Sequence, residues 1–270
     1  MKLIELHILQ SFPVSCLNRD DVGAPKTAVF GGATRARISS QCLKRAIRRA
    51  ARDVLADTFE GSRTRKASEE LAAALVIRSW SESDARITAD EVLNSFLAKE
   101  NKKAKKSKKG DDESDEASGT TSTLLYFSPS EIDLLADGIH SAKTSGDAEA
   151  SKLKDAAIKS LVKGLPKDAV DIGIFGRMVA NAPDITLEGA GMFSHALSTH
   201  KTDNDLDFWT AVDDEKSLGD DAGAANMGIA EFNSACYYRY AALNLDLLFD
   251  ERHLAVLGAD ERKQVVDAFI

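Results

Sequence analysis

The strand-like segments of this chain lie towards its two ends, and the clearest periodic segments between them are helical. Leu3 to Phe12 reads as a buried strand, with Ile4, Leu6 and Ile8 on one face and Leu3 and Leu9 on the other. Strand character returns after Pro166. Residues 169–178 (AVDIGIFGRM) alternate with β-branched residues, 192–200 are compatible with a strand, and 229–248 are dense in aromatic and apolar residues. Residues 67–76, 88–98, 129–140 and 147–163 are amphipathic at helical spacing. A strand–helix core at both ends, with helices inserted in the middle, makes the fold class α+β.

Residues 13–38 read as a long connection rich in turn and charged residues. Its paired Gly31 and Gly32 give access to backbone conformations closed to other residues. Ser39–Ser40 supplies an N-cap for a helix running to about Ala56. At about 100° per residue, Leu43, Ala46, Ile47, Ala50 and Val54 gather on one side, and Gln41, Lys44, Arg45, Arg48 and Arg52 on the other. Cations in the first two turns stand at the positive end of the helix dipole, where they cost stability unless an anion is near. The cap also offers backbone N–H groups to an anion. With Arg35 and Arg37 just upstream, the pattern points to a run of phosphates.

The formal charge of −8 over 270 residues, taken as a bulk figure, argues against nucleic acid. It is unevenly spread. Residues 1–50 hold nine Lys/Arg against three acids, a local +6, which leaves −14 for the rest. Residues 101–119 (NKKAKKSKKGDDESDEASG) run six lysines into five acids with no apolar residue beyond alanine, a composition that reads as a disordered loop tip.

Other chemistries find little support. There is no GxxxxGK[ST] and no GxGxxG. Cys16, Cys42 and Cys236 are odd in number and scattered, which fits a reducing cytoplasm and no zinc site. His195 and His200 fall on opposite faces of a strand, poor geometry for one metal. Asp20–Asp21, Asp213–Asp214 and Asp220–Asp221 are carboxylate pairs able to hold magnesium, though adjacent loop aspartates more often cap turns. No cofactor is expected. No apolar run approaches the roughly 18 residues of a membrane span. Met178 suits either a core position or an apolar wedge between bases.

Residues 11–49 contain the pattern S-x-LNRD-D-x4-K-x-A-x-FGG-x-x-R-x-RISSQ-x-LKRA. A second block follows: GRM (176–178), SHALSTH (194–200), DFWTAVDD (207–214) and EFNSACYYRYAALNL (231–245). In content and order these segments resemble the CasC-type backbone subunit of Cascade, the CRISPR type I-E effector complex. The resemblance implies an RRM-like palm (1–60, 166–199 and 229–270), a helical fingers insertion (61–165) and a projecting thumb arm (200–228). It implies a non-catalytic RNA-binding subunit that polymerises along a guide RNA and assists target DNA recognition. Its partners would be further copies of itself, other Cascade subunits and a recruited nuclease-helicase, in the cytoplasm. The RNA-contacting positions would be Arg19, Lys26, Ser39, Gln41, Lys44, Arg45 and Arg48, with Met178 as base wedge. Family chains continue beyond the position matching Ile270, so the last palm segment is expected to be truncated. A rival expectation is a metal-dependent ribonuclease that uses backbone-subunit aspartates, as in related type III complexes.

Overall fold

The computed structural model describes residues 2–97, 121, 124–147, 149–211 and 227–270. The 101–119 tract and residues 212–226 of the expected arm lie outside the described residues. In chain order the elements are β1 (Leu3–Ser15), β2 (Thr27–Phe30), β3 (Ala33–Ile38), α1 (Ser40–Val54), β4 (Ser62–Thr64), α2 (Ala67–Ile77), α3 (Glu82–Phe96), β5 (Leu125–Phe127), α4 (Pro129–Thr144), α5 (Ala150–Leu161), α6 (Val170–Phe175), β6 (Gly191–Phe193), β7 (Ala196–Ser198), β8 (Asp205–Thr210), β9 (Met227–Asn244), α7 (Leu245–Leu248) and α8 (Ala259–Phe269). The chain divides into two compact units. One is Ile4–Ile47 with Met192–Ala242; the other is Met1–Leu3, Arg48–Gly191 and Leu243–Ile270.

The first unit is a sheet with strand order β1-β9-β7-β3-β2, to which β6 and β8 add by pairing with β9. Direct pairing of Ile38 with Ala196 and of Ser198 with Tyr237 fixes its packed face. Ala36, Ile38, Ala196, Ala235 and Tyr237 are buried there, and Phe12, Cys42 and Leu43 pack against them. Residues 13–38 are more ordered than a connection. β1 runs on to Ser15, and β2 and β3 form a hairpin whose two-residue loop is Gly31–Gly32, at φ +62° and +75°. Positive φ at both central positions matches the strand twist, and glycine reaches it without steric cost. Nor is β1 buried as expected, since Leu9 is 68% exposed.

The second unit is mainly helical. Leu71, Leu75, Leu93, Phe96, Leu135 and Ile139 form the centre of a core shared by α2–α5, beside the two-stranded β4–β5 ladder. A capping box starts α4, Ser128 and Glu131 exchanging hydrogen bonds behind Pro129. Residues 169–178, expected to be a strand, instead contain α6. Val170 to Ile174 are all buried, so no polar face marks the helical period. A Cβ at Gly173 would stand 3.3 Å from Leu165 and Leu254, so a larger residue there would crowd both leucines. Among the described residues, no helix is long and apolar enough to cross a membrane.

Candidate nucleic-acid interface

The start of α1 is held from three sides. Ser39 N–H donates to Asn18 Oδ1 (3.0 Å), Ser40 N–H to His195 Nδ1 (3.2 Å), and Cys42 N–H to Ser39 Oγ (3.2 Å). The expected Ser39 cap is therefore present, of a kind worth about 1 kcal/mol. Leu43 N–H closes the turn on Ser39 O, which leaves Gln41 N–H as the terminal amide without an acceptor among the described residues. The anion site at this terminus is thus one amide rather than an open row. His195 and Asn18 are the residues that sequence reasoning missed. Asn18 lies 21 residues before Ser39 and His195 155 residues after Ser40, and no residue-type rule marks either as a cap partner before the fold brings them there.

No acid stands in the first turn of α1. Lys44 and Arg45 form no ion pair among the described residues, and Arg45 is exposed. The apolar stripe is shallower than expected: Leu43 and Ile47 are half-buried, Ala46, Ala50 and Val54 are exposed, and Ala51 is the buried position. Upstream, Asn18–Lys26 folds into a tight turn. Asp20 N–H bonds Ala24 O (2.8 Å), Lys26 N–H bonds Asn18 O (2.8 Å), and Gly23 takes φ +89°. Arg19 donates to Gly23 O and lies over the Phe232 ring at 5.8 Å, while the Lys26 side chain is half-buried and unpaired.

The distal half of the basic ridge is engaged within the protein. Arg52 donates to Phe59 O (2.8 Å) and Gly61 O (2.7 Å). Arg48 stands over the Tyr126 ring at 5.3 Å, with Arg63 at 4.6 Å from the same centroid. Asp171 lies in this cluster and accepts from Gly61 N–H (3.2 Å) and Ile172 N–H (3.0 Å). Burial pushes the Asp171 carboxyl above the usual aspartate range, although Tyr126, Arg48 and the Gly61 amide pull it back. Burial and the neighbouring Asp171 charge raise the Tyr126 phenol. Only glycine fits at position 61, where a Cβ would come within 2.5 Å of Asp171 Oδ1. A continuous outward ridge from Lys44 to Arg52 is therefore not what forms.

Met178 lies in the helical unit and is 86% exposed. Its direction is set by its neighbours. Arg177 forms a two-way backbone bridge with Leu187 (2.9 and 2.8 Å) and sends its guanidinium inward to Glu131 (2.7 and 2.8 Å). Val179 is buried, and its N–H bonds Thr186 Oγ1 (3.1 Å). Gly176, at φ +76°, has Gly189 N only 2.8 Å from where a Cβ would sit. A methionine pinned on both sides and turned outward is not a core residue.

β8 pairs with the start of β9 from Asp205↔Phe232 to Thr210↔Met227, and all six β8 residues are exposed. This ribbon occupies part of the expected arm. The Trp209 indole lies against Gly228, where a Cβ would meet it at 2.8 Å. Asp20 Oδ1 accepts from Val22 N–H (3.0 Å) and Ala24 N–H (2.9 Å), so it is a turn residue. Asp213, Asp214, Asp220 and Asp221 lie outside the described residues. Among the described residues, no three His, Cys, Asp or Glu side chains gather as a metal site.

The sequence model of the CT1975-like protein family matches residues 4–270. A chain from a CRISPR RNA-guided surveillance complex, pre-nicking, is 31% identical and has a TM-score of 0.71; the match covers 99% of this chain and 71% of that one. A chain from a second CRISPR RNA-guided surveillance complex is 28% identical with a TM-score of 0.61, at the same coverages. No curated protein matches in sequence. The chain belongs to the CT1975-like protein family and is a Cascade-type Cas protein.

Proposed function

We propose that this chain is a non-catalytic, CasC-type backbone subunit of a type I-E Cascade, polymerising along a guide RNA and assisting recognition of target DNA. The observation that carries the reading is the start of α1, where Gln41 N–H, Lys44 and Arg45 are left without protein partners and no acid compensates them. Helical side chains lean back towards the N-terminus, so Lys44 and Arg45, in the second turn, join the Gln41 amide in favouring an anion there. The matched chains come from RNA-guided complexes, which makes a guide RNA the natural source of that anion.

In this reading Arg19, Lys26, Ser39, Gln41, Lys44 and Arg45 hold successive phosphates. Arg48 adds its charge while remaining over Tyr126. Met178 enters between two bases, and the β8–β9 ribbon belongs to the thumb that closes over the strand. The first 60 residues, 166–199 and 229–270 are assigned to the palm and 61–165 to the fingers. Sequence is read by pairing of guide with target, the division of labour known for RNA-guided recognition. Cleavage falls to a recruited nuclease-helicase, and the setting is the cytoplasm. Chain expressed with its CRISPR RNA should purify with nuclease-resistant RNA, seen as excess absorbance at 260 nm. Nucleic-acid-free protein at moderate salt overturns the reading.

A further inference from the structure

The sheet has a second face, opposite the one packed against α1. Arg37 pairs directly with Leu197, and Leu197 with Tyr238, so the three share one face in a row across β3, β7 and β9. His7 of β1 continues the row: its Nδ1 and the Tyr238 hydroxyl share a hydrogen bond of 2.8 Å. The Tyr240 ring meets His7 edge-on at 5.2 Å, and its hydroxyl donates to Glu5 (2.7 Å). Tyr238 is 40% exposed, and His7 and Leu9 are exposed beside it. Three aromatic rings thus stand on two adjacent strands of an open sheet face.

The charge across this face is polarised. Glu5 stands at the β1 side. Arg37 stands on β3, its Nε buried without a hydrogen-bond partner, and its N–H bonds the Lys26 carbonyl at the β2 side (2.8 Å). Arg35, on the same face, is occupied by Phe30 O (3.0 Å) and Ser198 O (2.8 Å), whereas the Arg37 and Lys26 side chains have no hydrogen bond or ion pair among the described residues. Two strand spacings, about 10 Å, separate Arg37 from Tyr238. Phosphates are therefore favoured on the β2–β3 side and repelled on the β1 side, with the rings lying between.

We propose that this face is a stacking platform for bases of single-stranded RNA, with Tyr238, Tyr240 and His7 as the platform and Arg37 with Lys26 holding the phosphates. This rests on the RNA-binding reading and adds a stacking surface to the phosphate grip and the Met178 wedge. Stacking accepts any base, because every base has a π face. That suits a subunit that must hold guides of any sequence. A protein segment is disfavoured as occupant because it gives Arg37 and Lys26 no run of anions to bind.

The test uses the full chain with two probes of equal length: a mixed-sequence single-stranded RNA and an abasic ribose-phosphate oligomer. Tyr238→Ala and Tyr240→Ala should each weaken the RNA about tenfold and leave the abasic oligomer unchanged. Tyr238→Phe, which keeps the ring and loses the bond to His7, should bind RNA as the parent does. Lys44→Ala with Arg45→Ala should weaken both probes. If the tyrosine variants bind RNA unchanged while the Lys44/Arg45 variant loses both probes, the platform is overturned and the phosphate grip stands. If the parent binds neither probe, both readings fall. Equal loss of both probes in the folded tyrosine variants also overturns stacking.

Discussion

Arg177 and Met178 are adjacent in the chain and opposite in environment: Arg177 is 6% exposed and bonded to buried Glu131 at 2.7 Å, while Met178 is 86% exposed. The buried ion pair thereby fixes the direction of an apolar side chain that touches solvent. Arg177 Nε also donates to Ile185 O (3.0 Å), and the guanidinium lies 5.0 Å from the Phe127 ring centroid, so the anchor is held at several points.

Arg177→Ala should therefore destabilise the protein by about 3–5 kcal/mol, because it leaves Glu131 buried and unpaired. Met178→Ala should change stability by no more than about 0.5 kcal/mol. Urea unfolding of the two variants checks the contrast, and RNA-bound Met178→Ala should differ from the parent in the chemical reactivity of the guide bases.

Gly176→Ala puts a Cβ 2.8 Å from Gly189 N at φ +76°. With ψ at 163° this is a conformation essentially confined to glycine, costing another residue about 1–3 kcal/mol, and the contact adds to it. A lowered unfolding midpoint together with a Met178→Ala-like guide reactivity pattern is expected. Unchanged stability would contradict the close approach.

The two halves of the α1 ridge should separate in solution. Lys44→Ala with Arg45→Ala should reduce the slope of log affinity against log salt by about 0.7 per lost single-strand phosphate contact, with the unfolding midpoint preserved. Arg48→Ala should lower stability through its contact with Tyr126, with a smaller change in slope. Equal behaviour of the two variants would contradict the division.

Asp171 links stability to pH. Burial raises its folded pKa above the unfolded value, so the folded state prefers the protonated form. As pH rises from about 4 through that raised value, the parent loses stability that Asp171→Asn, with no proton to release, retains. Unfolding measured across this range should favour the variant progressively at higher pH. A constant difference would contradict the shift.

The local structure of the candidate interface is legible along the chain where neighbouring residues specify it. Ser39 caps α1 as its residue type and position require, and the four amphipathic segments of the middle are helices α2–α5. Tertiary structure decided the rest. Arg48 and Arg52 share a helix face with Lys44, yet Tyr126 and the Phe59–Gly61 carbonyls, distant in sequence or beyond the helix end, engage them within the protein. Residues 170–174 hide their helical period because every side is buried. An isolated methionine has no periodic partner, so the sequence leaves Met178 open between core and surface; the pinning by Arg177 and Val179 comes from segments ten or more residues away, or from Thr186 across the bridge.

Assembled complex incubated with bound target nucleic acid and magnesium alone should leave the target intact. Scission that depends on this chain would instead favour the ribonuclease reading and direct attention to its aspartates.

Polymerisation along a guide is read out by the mass of native particles formed by the full chain expressed with its CRISPR RNA. Particles containing one RNA and several copies of the chain are expected, collapsing to smaller species for the Lys44→Ala, Arg45→Ala variant. A single nucleic-acid-free copy as the dominant species at moderate salt would contradict it.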